Sequence, residues 1–200
     1  MLIKVVVIAV FLNFGLTGAQ IDDPIDDSAA KTPTQADSST TKSNPQIERL
    51  LRALEGSWSI TDELAPDASS PKGKKGVGTI IWRRGPGGFS AVEEFRSKQG
   101  EVQFTGIGMM WWEEALHGYH VIWCDSTNPG GCINFKNAAR WEGSSLILQE
   151  DYEVRGKEYT FKEVFGHITS DSFTQTLYGG EAGASLKVDE IIRGRKRKAS

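Results

Sequence analysis

Residues Ser145 to Ile168 read SLILQEDYEVRGKEYTFKEVFGHI, and this stretch decides the fold. Leu146, Leu148 and Tyr152 fall on alternate positions, and so do Tyr159, Phe161 and Phe165. Alternation with period two places those side chains on one face of a β-strand, whereas a helix would need apolar residues three and four apart. Arg155-Gly156 between the runs is turn chemistry, so the two strands form a hairpin.

The same rhythm extends outward in both directions. Strands are predicted over 57–62, 77–84, 89–97, 102–112, 118–124, 133–138, 145–154, 159–168, 172–178 and 185–193. Breakers separate many of them, among them Gly85-Pro86-Gly87-Gly88, Gln99-Gly100 and Gly179-Gly180. Short links between successive strands specify an antiparallel meander. An open sheet of that width would expose its edges, and closure into an up-and-down β-barrel removes them. One helix precedes the strands, from Gln46 to Leu54. Pro45 stands at its start, and Ile47, Leu50, Leu51 and Leu54 recur at helical spacing. The expected fold is therefore all-β, a barrel of about ten strands with a short N-terminal helix. Neither a βαβ alternation nor a long repeat is visible.

The rest of the chain divides around this region. Lys4, the apolar run Val5 to Leu12 and the small residues Thr17-Gly18-Ala19 follow the order of a secretory signal peptide, assigned to 1–19. The run falls short of the roughly 20 apolar residues of a membrane span. Residues 20–45, rich in Asp, Ser, Thr and Pro, read as a disordered polar linker. The barrel domain takes 46–193, and 194–200 reads as a basic frayed tail. The expected location is secreted or periplasmic.

Composition narrows function by exclusion. With 38% hydrophobic and 24% charged residues, the chain is neither wholly disordered nor a multi-span membrane protein. The last eight residues carry five basic side chains and no acid, which leaves the rest of the domain acidic and argues against nucleic acid as a partner. Cys124 and Cys132, the only cysteines, flank a loop containing Asn128-Pro129-Gly130-Gly131 between two strands. In an exported protein such a pair reads as a structural disulfide.

One pattern points to a site. In four strands the apolar face carries a single glutamate: Phe89, Ala91, Glu93, Phe95; Leu146, Leu148, Glu150, Tyr152; Tyr159, Phe161, Glu163, Phe165; and Leu186, Val188, Glu190, Ile192. If these faces point inward, carboxylates enter the barrel, where they must be paired, protonated or hydrated. That would mark a wet cavity. Two alternatives stay open: bulges could turn some of the glutamates outward, or Arg83, Arg84 or Arg140 could pair with them. The candidate cavity lining is Glu93, Phe104, Trp112, Trp123, Glu150, Phe161, Glu163 and Glu190.

Other chemistry is weaker. His117 and His120 lie at a turn-to-strand junction without a metal-binding signature, and no metal is assigned. Ser90 lacks the glycine pattern of a nucleophile elbow. No phosphate-binding glycine motif is present. Trp111 and Trp112 are adjacent and so must face opposite ways on a strand.

Leu54-Glu55-Gly56-Ser57-Trp58, with Arg193 at the far end, resembles the calycin pattern. That resemblance implies that Arg193 covers Trp58 and seals one barrel end. Leu51 to Trp58, Trp82 to Phe89, Gly106-Ile107-Gly108 leading to Trp111-Trp112, and Tyr119 to Trp123 with Asp125 further resemble a bacterial family of exported calycin-like proteins, domain of unknown function 1579. The resemblance implies a lipocalin-like barrel and export, and carries no substrate. Nitrobindin-like haem barrels are more distant relatives. Their haem-ligating histidine lies near the C-terminus, where this chain has none, its last being His167. No cofactor is therefore expected.

The sequence thus predicts an exported, monomeric or weakly oligomeric barrel that binds a small, partly apolar molecule without catalysis. A carboxylate-based enzyme acting at the barrel mouth, or an interaction scaffold with a filled barrel, are the alternatives.

Overall fold

The computed structural model describes residues 44–67, 70–128 and 130–198. The predicted signal peptide and nearly all of the predicted linker lie outside them. The helix α1 spans Pro45–Leu54. The Asn44 side chain accepts a hydrogen bond from the Gln46 amide and so caps it. Its apolar stripe, Ile47, Leu50, Leu51 and Leu54, is buried.

Eleven antiparallel strands follow: β1 (Gly56–Leu64), β2 (Lys74–Arg84), β3 (Ser90–Gln99), β4 (Val102–Glu113), β5 (Gly118–Asp125), β6 (Ile133–Asn134), β7 (Arg140–Glu142), β8 (Ser145–Val154), β9 (Lys157–Gly166), β10 (Ser172–Glu181) and β11 (Lys187–Lys196). They form one curled sheet in the order β6-β5-β4-β3-β2-β1-β11-β10-β9-β8-β7. The first and last long strands are neighbours, and Trp58 is paired with Lys196.

The two edges of the sheet belong to one stretch of chain, residues 133–142. It pairs with β5 through Ile133 and Asn134. It then exchanges two 2.8 Å hydrogen bonds between Ala139 and Tyr119 and passes to β8 as β7. A single continuous strand was expected over 133–138; instead the segment divides its hydrogen bonds between two partners, which draws the sheet into a barrel. β7 had no sequence signal because three residues are too few to show alternation.

The barrel is packed at one end and hollow at the other. At the packed end α1 lies across the opening, and its stripe joins Trp58, Trp82, Ile80, Tyr119 and Phe165 in the core. Long side chains tie the helix down: the Tyr119 hydroxyl donates to the Gln46 carbonyl, and Arg84 grips Glu48 with two nitrogens. Arg49 lies over the Trp141 ring and donates to the Gly143 carbonyl.

The seal of this end differs from the one expected. β11 continues to Lys196, so the predicted frayed tail at 194–200 is in part a strand. The register sets Lys196, not Arg193, opposite Trp58. Lys196 Nζ stands 4.9 Å over the Trp58 ring, and Arg193 lies on the outer face with Glu63 at 3.3 Å. The two residues are an odd number apart, so they cannot share a face of the strand.

Candidate functional site

The open half of the barrel encloses a cavity of about 560 Å³. Its mouth is formed by Leu64, Ala65, Asp67, Ser70 and Lys74 around the β1–β2 connection, by Gln99 and Val102 at the β3–β4 turn, and by Thr127 of the loop after β5. That loop is closed by the Cys124–Cys132 disulfide. The walls are apolar and rich in aromatic rings.

Trp123 makes one wall possible. Gly106 and Gly108 of β4 provide a bare strip of backbone under its indole. A Cβ at Gly106 would stand 2.3 Å from the ring. Glycine is needed here because backbone and ring come closer than any side chain allows. The indole nitrogen donates to Asp125 at 3.0 Å and fixes the ring's tilt.

Toward the packed end the cavity acquires a polar floor. Glu93 of β3 is buried among Trp82, to which it is paired across the β2–β3 ladder, and Gly108, its partner on β4. Glu163 of β9 faces the same space and receives a 2.5 Å hydrogen bond from the Gln175 amide of β10. Burial raises the pKa of both carboxyls. Glu93 keeps its proton well above the usual carboxylate range, first through desolvation and then through the charge of Glu163. Desolvation pushes Glu163 up to about 7 against the opposing pull of the Gln175 hydrogen bond. Three buried polar atoms of the floor find no hydrogen-bonding partner among the described residues: Glu93 Oε1, Gln175 Oε1 and Trp82 Nε1.

Of the eight residues proposed from sequence, six line this cavity: Glu93, Phe104, Trp123, Phe161, Glu163 and Glu190. Two do not. Glu150 turns to the barrel seam, where its carboxylate accepts the backbone amides of Lys136 and Asn137. Trp112 lies near the packed end, edge-on to Tyr119, with its nitrogen donating to Glu114. The alternation argument also fails at two ends. Phe89 precedes β3 and is exposed. In β11, Leu177 and Tyr178 pair with Glu190 and Val188, so Asp189 is the extra residue of a bulge and Val188 comes out exposed.

The arginines do not neutralise the inner carboxyls. Arg83 pairs with Glu94 on the outer face, Arg84 with Glu48, and Arg140 donates to the carbonyls of Ala138 and Leu116. Gln175 was missed. It sits between Phe173 and Leu177 on an apolar face, the same signal that marked the glutamates.

The remaining reactive side chains lie elsewhere. His120 stacks on Trp111 and bonds Asn134, His117 is exposed in a turn, and neither His117, His120 nor His167 lines the cavity. Ser90 is fully buried. Among the described residues no cluster of His, Cys, Asp and Glu has the geometry of a metal site. No helix among them is long and apolar enough to cross a membrane.

No protein-family model matches the chain, and no curated protein sequence does either. Solved structures do. The crystal structure of Rv2717c from M. tuberculosis superposes with a TM-score of 0.51 at 11% identity, covering 78% of this chain and 99% of that one. The S-type phycobiliprotein lyase CPES from Guillardia theta superposes with a TM-score of 0.52 at 8% identity, covering 77% and 94%. At such identities the likeness is one of fold, and that fold is the calycin-like β-barrel.

Proposed function

We propose that this protein is an exported carrier or sensor that holds one small, partly apolar molecule inside its barrel without transforming it. The observation that carries the reading is the 560 Å³ cavity, apolar at its walls and ending in buried polar atoms that the described residues leave unmatched. Buried polar groups of a folded protein are normally partnered, and a site kept unmatched at the end of a pocket is the ordinary design of a ligand seat. The volume falls in the range of small-molecule pockets and is at odds with a filled scaffold. Export is supported by the signal-like N-terminal sequence, by the Cys124–Cys132 disulfide and by the resemblance to exported calycin-like proteins. We read the protein as a monomer.

Native mass spectrometry of the protein purified from its own host tests this reading. A retained molecule of defined mass, lost on denaturation, is the expected result. Bare protein that also fails to take up the apolar dye diphenylhexatriene would overturn it.

One observation favours a second reading. Glu93 and Glu163 share a desolvated space with their titrations pushed up, and Glu163 titrates at about 7, where general acid–base catalysis works best. An enzyme would then use the floor of the barrel rather than its mouth. A turnover whose rate inflects near pH 7 and loses that inflection in Glu163→Gln would establish it.

A further inference from the structure

Acceptors outnumber donors at the cavity floor. The Gln175 amide spends an N–H on Glu163, which leaves its own Oε1 as an unmatched acceptor. Glu93 Oε1 is a second, and it accepts even when the other oxygen of that carboxyl carries a proton. Glu163 adds a carboxylate with further lone pairs. Against these stand the unmatched Trp82 Nε1 and the single O–H of a protonated Glu93.

The charges lean the same way. The charged residues lining the cavity are Asp67, Lys74, Glu93, Glu163 and Glu190, so Lys74 is the one basic side chain among the described lining residues, and it stands at the mouth. Among the described residues a carboxylate or phosphate ligand would find no cation at the floor. Beside a neutral ligand Glu163 would have to take up a proton or stay ionised without a counter-ion, which is costly, whereas a cation stabilises its carboxylate. The rings of Phe95, Phe104, Trp123 and Phe161 line the same space, and aromatic rings attract cations to their faces.

We infer that the cavity takes an organic cation, a molecule with an apolar or aromatic body and a terminal ammonium, whose N–H groups are seated on Glu163, Gln175 and Glu93. The inference rests on the reading of the barrel as a ligand-binding one and names the chemistry of that ligand. An ammonium brings three donors and no acceptor, which is what the floor lacks.

The test uses three probes of one shape, 3-phenylpropylamine, 3-phenylpropanol and 3-phenylpropanoate, titrated calorimetrically into the full chain. The amine is expected to bind at least about tenfold more tightly than the alcohol, a difference of one charge-assisted hydrogen bond. Glu163→Gln keeps the shape of the floor and removes its charge, so it should abolish the preference for the amine over the alcohol. An alcohol or carboxylate that binds as well as the amine overturns the inference but leaves cavity binding intact. So does failure of all three probes in a protein that still takes up diphenylhexatriene. If neither the probes nor the dye bind, cavity binding itself is overturned with it.

Discussion

Lys196 and Trp58 close the barrel together: the ammonium stands 4.9 Å over the indole and donates a hydrogen bond to the Glu55 carbonyl at the end of α1. The Trp58 nitrogen donates to the Leu54 carbonyl one residue earlier. Helix end, first strand and last strand are thus joined through two side chains.

Lys196→Ala should therefore destabilise the fold by about 1 kcal/mol, the sum of an exposed cation–π contact and one hydrogen bond. Arg193→Ala, which removes an exposed ion pair with Glu63, should cost less than about 0.5 kcal/mol. Urea titration of both variants decides between the seal observed and the one expected from the calycin resemblance. A larger loss for Arg193→Ala would reverse the assignment.

Stability should fall as pH rises from 5 to 8. Glu163 titrates near 4.5 when unfolded and at about 7 when folded, so in this window the native state holds more protons than the unfolded one. Its contribution is present in full below the unfolded value and is lost on passing through the folded one, a change of up to about 3 kcal/mol. Glu93 acts in the same direction. Thermal denaturation across the window should show a falling Tm in the parent and a shallower fall in Glu163→Gln. Equal slopes would show that Glu163 titrates normally.

Gly106→Ala should disturb the cavity without touching its polar floor. The new Cβ would meet the Trp123 ring at 2.3 Å, and a rigid indole has to swing away. Overpacking of this kind costs about 1–3 kcal/mol. The fluorescence of Trp123, isolated by comparison with a Trp123→Phe variant, should shift, and ligand uptake should weaken.

Leu50→Ala in α1 should cost about 2–5 kcal/mol, the range for a fully buried leucine. Because α1 covers the packed end, the floor would be wetted from below, and the raised Glu163 titration should move back toward the ordinary range. Chemical denaturation together with NMR titration of the carboxyl reads both effects.

Replacing Cys124 and Cys132 by serine should lower stability by about 2–3 kcal/mol, the loop-closure value for so short a ring. Comparison of urea midpoints with and without reductant in the parent gives the same quantity independently.

The sequence made the strands legible because alternation survives wherever one face of a strand is buried. It made six lining residues legible for the same reason: a lone glutamate between phenylalanines marks the inner face. Glu150 escaped that logic. It follows the alternation of β8, but its carboxylate is drawn to the amides of residues 136 and 137, which lie where the strand expected over 133–138 breaks off after Asn134. Lys196 escaped because a run of arginines and lysines reads as solvated tail until register shows that one of them faces an indole. The bulge at Asp189 depends on how two strands pair, and neither strand alone encodes it.

The pairing of β1 with β11 has a kinetic side. Strands at the two ends of the domain meet only after every intervening strand has been made, so the contact that seals the barrel is also the longest-range one. Loop-closure entropy is spent before that contact gives anything back, and folds dominated by such pairings form on the scale of about milliseconds to seconds. A chain truncated before Lys187 has no partner for the free edge of β1 and lacks the Lys196 that seals Trp58. The barrel therefore closes only once β11 has been made.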